Sequence, residues 1–167
     1  MSMRVFAFTL LFLLISTYLV HAQNEVLREL SSLAGITEFG VVVNIEKPGS
    51  LEVDNLNPGI IREGILENFG DLAITILNDA ALRQSDQFPI LHIHINVMKA
   101  SNGTYPFAIE MNFYQPVKLV LNRDLQSMAS TWNKGRVGIV SDDMLSMIGQ
   151  EAIYASNVFK EEFTRMN

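Results

Sequence analysis

The apolar positions in the first half of the chain predict a β-sheet into which a helix is inserted. Residues 39–46 hold clustered β-branched side chains, which favours a buried strand. Asn57 and Pro58 form a good helix start, because an Asn side chain can cap free backbone N–H groups and proline has none to cap. Apolar residues then recur at helical spacing up to Gly70, the expected C-terminal cap. A short strand at 73–77, parallel to the first, should follow.

A β-hairpin is predicted at 90–98 and 105–114, where apolar and polar residues alternate. A two-residue turn at Asn102-Gly103 would set apolar residues opposite polar ones along the ladder. A three-residue loop at 101–103 avoids this and places Gly103 where positive φ is needed. The register that follows has these cross-strand pairs: Val97 with Phe107, Ile95 with Ile109, and Ile93 with Met111.

The rest of the chain predicts more strands and one long helix. Pro116 should interrupt pairing, and short strands at 129–132 and 137–140 should flank a turn at 133–135. From Ser141, a helix cap, apolar residues recur at steps of three and four up to residue 163. Two weaker helical turns are expected at 24–33 and 78–87. The predicted fold class is α+β, a single mixed sheet of four to six strands with two main helices packed on one face.

The N-terminal residues have the pattern of a secretory signal peptide. Arg4 precedes an almost wholly apolar run at 5–20, and the run ends in Val20-His21-Ala22, a small-x-small cleavage pattern. We therefore expect a signal peptide at 1–22 and a single domain at 23–167. The alternative is an uncleaved membrane anchor, but the run is short for a spanning helix and no positive cluster follows it. The predicted location is periplasmic or extracellular.

Composition narrows the classes of partner and of chemistry. Without Arg4 the Lys and Arg residues fall from 12 to 11 against 18 acidic residues, a net charge of −7. Such an acidic chain is a poor partner for nucleic acid or anionic lipid. The chain has no cysteine. Its stability must therefore come from packing, and thiol catalysis and cysteine-ligated zinc are excluded.

One group of residues has the side chains and the spacing of a metal site. His92 and His94 lie two apart on a predicted strand and so share a face, and the predicted register sets Glu110 opposite His94. Two imidazoles and a carboxylate can bind zinc or iron. The alternative is the ordinary polar side of an amphipathic sheet. A serine hydrolase built on these histidines is disfavoured, because no serine lies in a G-x-S-x-G or S-x-x-K context.

Trp132, the only tryptophan, is the other residue singled out. Tryptophan often anchors a partner or a ligand, because it is large and carries one hydrogen-bond donor. The alternative is a packed core aromatic whose indole N–H is satisfied internally. The sequence alone leaves both interpretations open.

From residue 39 onwards the chain resembles a group of small, uncharacterised exported bacterial proteins. The matching residues are Gly40 to Val43, Pro89-Ile90-Leu91, Thr131-Trp132, Val137 to Val140, Phe163 and Asn167. The resemblance implies export but no activity, and it places His92 and His94 among ordinary variable strand residues. The order of elements is also similar to the N-terminal domain of the Tol-Pal translocation protein, a likeness of topology that does not set function.

These observations lead to three functional hypotheses. The first is a non-catalytic exported module that binds a macromolecule or a small apolar ligand, through an exposed sheet face or a groove beside the long helix. The second is a metal-dependent enzyme or metal-binding protein that uses His92, His94 and Glu110. The third is a lipid carrier, which requires an apolar cavity between the sheet and the helices.

Overall fold

The computed structural model describes residues 27–51, 56–85 and 87–167, which form one mixed five-stranded sheet with its two long helices on one face. A helical turn at 27–31 and a 3₁₀ turn at Asp142–Met144 complete the described elements. This is the α+β class that the sequence predicts. The strands and helices, in chain order, are β1 (Glu38–Glu46), α1 (Pro58–Asn68), β2 (Thr75–Leu77), α2 (Asp79–Leu82), β3 (Ile90–Val97), β4 (Tyr105–Lys118), β5 (Gln126–Val140) and α3 (Ser146–Met166).

The predicted signal peptide at 1–22 lies outside the described residues, as does the start of the helical turn expected at 24–33. Within the described ranges, no helix combines the length and the apolar character that crossing a membrane requires.

The strands lie in the order β2-β1-β3-β4-β5. β1 pairs in parallel with both β2 and β3, so the predicted parallel arrangement of the first two strands is confirmed. β3, β4 and β5 form an antiparallel meander. The sheet therefore has a short parallel edge at β2, which has three residues, and a long antiparallel edge at β5, which has fifteen.

The predicted hairpin register is confirmed. Ile95 lies opposite Ile109 and His94 opposite Glu110. Gly103 has a φ of 80°, in the left-handed region that glycine tolerates best. The register is so well specified because a shift of one residue would move every apolar side chain of β3 to the wrong face.

The face of the sheet under α1 and α3 holds the hydrophobic core. Phe159 of α3 lies at its centre, with five aromatic ring centroids between 5.1 and 5.8 Å from its own. Ala152 and Ala155 of α3 are also buried and let the helix approach the strands closely. The other large core residues include Phe39, Phe69, Phe113, Trp132, Phe163, Leu91, Ile93, Ile95 and Ile109.

The start of α1 is confirmed, whereas its expected end is wrong. The Asn57 side chain accepts hydrogen bonds from the N–H groups of Gly59 and Ile60, as a helix cap does. The helix ends at Asn68, and Phe69 takes the capping position with a φ of −91°. Gly70 has no positive φ, so it is not a left-handed cap. The chain instead leaves the helix with Phe69 buried in the aromatic core.

Two expectations for the second half of the chain are also wrong. β4 continues through Pro116, which pairs with Met128. β3 pairs with β4 only as far as Tyr114, so the missing N–H of Pro116 breaks no bond to β3. The expected turn at 133–135 is part of one continuous strand, because β5 follows β4 over its whole length.

The long helix begins later than predicted. Ser141 precedes the 3₁₀ turn, and its hydroxyl contacts the carboxylate of Asp143 instead of capping a backbone N–H. α3 itself runs from Ser146 to Met166. The expected core positions of this helix are nevertheless buried, since Ile148, Phe159 and Phe163 all face the sheet.

Candidate functional site

The second face of the sheet has no long helix over it among the described residues. Strand alternation places His92, His94 and Asn96 of β3 on this face, which we call the open face. Their partners on β4 are Asn112, Glu110 and Ala108. The open face thus joins polar side chains near the middle of the sheet to apolar ones toward the β5 edge.

A large groove lies on the open face, across the ends of β3, β4 and β5. It has a volume of about 640 Å³, within the usual range of ligand pockets. Several of its apolar side chains are exposed to an unusual degree: Val137 by 85%, Ile139 by 69% and Met98 by 61%. The lining residues are His94, Asn96, Met98, Pro106, Phe107, Ala108, Glu110, Val137, Gly138 and Ile139.

Cross-strand pairing explains how the sequence builds this groove. Val137 lies opposite Ala108 and Ile139 opposite Pro106, so small or ring-shaped side chains form the floor beside larger ones. Gly138 points to the helix side, where its missing side chain leaves room for the Phe107 ring, since a Cβ there would come within 2.5 Å of that ring. The groove is therefore built mainly by side chains of paired strands, with Met98 just beyond the end of β3.

A second, smaller groove of about 380 Å³ lies on the helix side of the same edge. It runs between β5 and the start of α3 and is lined in part by Arg136, Met147 and Glu151. The Arg136 guanidinium contacts the Glu151 carboxylate and lies 5.3 Å from the Tyr154 ring centroid. This is the groove beside the long helix that the sequence suggested as an alternative binding surface.

The structure brings the three proposed metal ligands onto the open face but does not join them into one site. The carboxylate nearest to His94 is that of Glu46 on β1, with 3.7 Å between Nε2 and Oε1. That distance is longer than a hydrogen bond, and Nε2 is buried without another partner among the described residues. The rings of His92 and His94 lie 6.1 Å apart.

The surroundings of His92 disfavour its protonated form. Partial burial lowers the pKa of His92, and the nearby His94 lowers it further. In the part of the chain that the structure describes, no three His, Asp or Glu side chains converge closely enough to hold a metal ion. Zinc or iron binding at His92, His94 and Glu110 stays a prediction, and so does an enzyme built on it.

Trp132 lies on the opposite, helix-covered face. Its side chain is fully buried against Phe159, and its indole N–H donates to the Glu162 carboxylate at 2.6 Å. A partner could reach this ring only if α3 moved. Contact between Trp132 and a partner stays a prediction, as does a lipid cavity, whose expected place between sheet and helices is packed with aromatic rings.

No protein-family model matches the chain, and no curated protein matches it either.

Sequence reasoning missed the exposed apolar residues of the groove. Val137 and Ile139 were expected to lie in a short strand beyond a turn, with no prediction of which face they occupy. The signal was present in the spacing, since Lys134 and Arg136 alternate with Gly135, Val137 and Ile139, which separates the two faces of a continuous strand. Only the pairing with β4 shows that Val137 and Ile139 point away from the helices.

Proposed function

We propose that this chain is an exported, non-catalytic binding module that takes a small apolar ligand in the groove on the open face of its sheet. The observation that carries the proposal is a groove of ligand size whose apolar residues are exposed although the core does not need them. Isolated apolar residues on a surface need no explanation, but a contiguous concave set beside polar groups is typical of a binding site.

The polar residues at one end of the groove suggest the form of the ligand. His94 and Asn96 of β3 and Glu110 of β4 supply its polar groups, while Val137 and Ile139 of β5 supply much of its apolar surface. An apolar body with one polar end would match this division, since a few placed polar groups set the orientation of a ligand in an apolar site. Export is supported by the leader pattern at 1–22 and by the absence of cysteine, which leaves no thiol to oxidise outside the cell.

The test uses the dye 8-anilinonaphthalene-1-sulfonate as an apolar probe in a fluorescence titration. Ala108→Glu places a carboxylate on the groove floor, and we expect it to weaken dye binding by about tenfold or more, because burying an unpaired charge is costly. The matched control is Leu121→Glu, at a fully exposed apolar residue of the β4–β5 hairpin tip.

The control variant should bind the dye like the unmodified protein. Circular dichroism spectra must match for all three proteins, so that a loss of binding is not a loss of fold. If both substitutions weaken dye binding equally, or if neither weakens it, the groove is not a ligand site.

A separate measurement tests the metal alternative. Elemental analysis of the purified protein, with and without added zinc or iron, reports the metal content per chain. We expect a substoichiometric content that a His92→Ala, His94→Ala double variant does not change. Stoichiometric metal that this variant loses would reverse the ranking of the two functions.

A further inference from the structure

The two edges of the sheet are protected to different degrees. The β2 edge has three residues and is followed at once by α2. The β5 edge is long, and its middle is contacted by the N-terminal helical turn: the Thr131 carbonyl accepts a hydrogen bond from the Ser32 hydroxyl, and Lys134 is ion-paired with Glu29. Among the described residues, the backbone of 135–140 has no hydrogen-bond partner other than β4.

An uncovered strand edge recruits another strand unless the sequence prevents it. Proteins usually protect such edges with proline, a bulge, or charged side chains, lysine above all. The stretch 135–140 has no proline and no lysine, and its one charged residue, Arg136, is held in an ion pair with Glu151 on the helix side. The irregularity in the β4–β5 ladder lies elsewhere, at Phe113/Tyr114. The free edge therefore fits an extended strand, whose backbone would satisfy its N–H and C=O groups.

We propose that the strand which pairs there is β5 of a second copy of this chain, antiparallel and in the register centred on Val137. The charges of the edge are compatible with this pairing. A register centred on Lys134, Gly135 or Arg136 would set two positive side chains opposite each other on one face, which destabilises a sheet. The Val137 register avoids this and gives these pairs: Val137 with Val137, Arg136 with Gly138, Gly135 with Ile139, and Lys134 with Val140.

This register also buries the most exposed apolar residues of the edge. On the open face, Val137 meets its own copy and Ile139 lies over Gly135, which has no side chain to obstruct it. On the helix side, Met147 lines the groove at this edge and Tyr154 packs against Arg136, and the two are exposed by 46% and 61%. The contact thus extends beyond the backbone on both faces of the sheet.

The symmetry axis of such a pair is perpendicular to the sheet. The two sheets become one sheet of ten strands, with both copies of α3 on one side and both open-face grooves on the other. Since Val137 and Ile139 line each groove, the two grooves adjoin across the new seam. The contact involves a short stretch of strand, so we expect an interface of less than about 1,200 Å² and a dissociation constant of about 1–100 µM.

Disulfide trapping tests the register, because the natural chain has no cysteine. Val137→Cys should form a covalent dimer under copper-phenanthroline oxidation, since directly opposed Cα atoms lie about 4.5–5.5 Å apart. Ile139→Cys is the matched control. Its two copies would be separated by four residues, about 13 Å along the strand, which is too far for a disulfide.

Sedimentation velocity tests the association itself, with the protein purified in the form that the expressing cell accumulates. We expect the mean mass to rise toward twice the monomer mass between about 1 and 300 µM. Val137→Lys should remain monomeric over this range, because it sets two positive charges opposite each other at the centre of the seam. Leu121→Lys, at the exposed hairpin tip, should associate like the unmodified protein.

Val137 is so exposed that neither Val137→Cys nor Val137→Lys should affect folding, and matching thermal unfolding curves would verify this. A monomer at every concentration, or a disulfide from Ile139→Cys and not from Val137→Cys, would overturn the proposal. Association that Val137→Lys leaves intact would overturn it as well. Because these readouts are mass and cross-linking, they stay independent of ligand binding in the groove.

Discussion

The two faces of one sheet differ sharply in what they contribute to this protein. β3 sends Leu91, Ile93 and Ile95 into the helix-covered face, where all three are fully buried. The same strand sends His92, His94 and Asn96 to the open face, where they stay partly or largely accessible. The backbone is shared, so the difference arises wholly from alternating side chains and from which face the helices cover.

The comparison separates residues that stabilise the fold from residues that are free to bind. Apolar side chains on the covered face make the dense contacts that give a domain most of its stability. Val137 and Ile139 on the open face are too exposed to contribute much in the same way. Their exposure makes sense if another molecule covers them, which is why both proposals above concern the β5 side of the open face.

The largest loss of stability should follow a substitution at the centre of the helix-covered face. Phe159→Ala removes the ring that contacts five other aromatic side chains, and we expect the free energy of unfolding to fall by about 3–5 kcal/mol. Ile139→Ala on the open face is the control and should change it by less than about 0.5 kcal/mol. Guanidinium unfolding measures both, and losses of similar size would remove the distinction between the faces.

A smaller loss of stability is expected at the corner of the open face that α2 covers. Gly40 of β1 lies under Leu82 of α2, and a Cβ there would come within 2.4 Å of the Leu82 Cδ1 atom. Gly40→Ala should therefore cost about 1–3 kcal/mol as the side chain or α2 shifts.

The control for this corner is Gly135→Ala, also in a strand, where the nearest atom to the new Cβ would be 3.7 Å away. Urea unfolding should show little loss for this second variant. If both glycines behave alike, α2 does not hold Leu82 against the sheet as the structure has it.

The smallest expected change in stability is a pH dependence caused by His92 on the open face. Because burial lowers the pKa of His92 below its usual 6.5, the unfolded chain takes up the proton first as the pH falls. The free energy of unfolding should therefore decline below about pH 6.5, and the loss is complete once the pH is below the pKa of the folded state. Above pH 6.5 both states are neutral and His92 has no effect.

His92→Asn should reduce this decline. Urea unfolding at about pH 7.5 and 5.5 compares the variant with the unmodified protein, and the difference between the two pH values is the quantity of interest. An equal decline in both proteins would show that His92 is protonated as easily in the folded chain as in the unfolded one.

Local patterns were enough to predict much of the architecture. The alternation at 90–98 and 105–114 and the single glycine of the loop led to the correct strand register, since both are set by neighbouring residues. The Asn57 cap and the spacing of the last helix also follow from local chemistry. The shared face of His92, His94 and Glu110 was predictable for the same reason, because side chains alternate in every strand.

Long-range pairing decided what the sequence alone left open. Pro116 and Gly135 read as breaks, yet both lie within strands, because the β4–β5 ladder runs on through Gly135 and continues past the end of β3 to include Pro116. The same pairing turns Val137 and Ile139 outward and so creates the groove and the free edge. The alternation at 134–139 separates the two faces of β5 but does not say which face is covered, since that depends on elements that are distant along the chain and meet only in the folded protein.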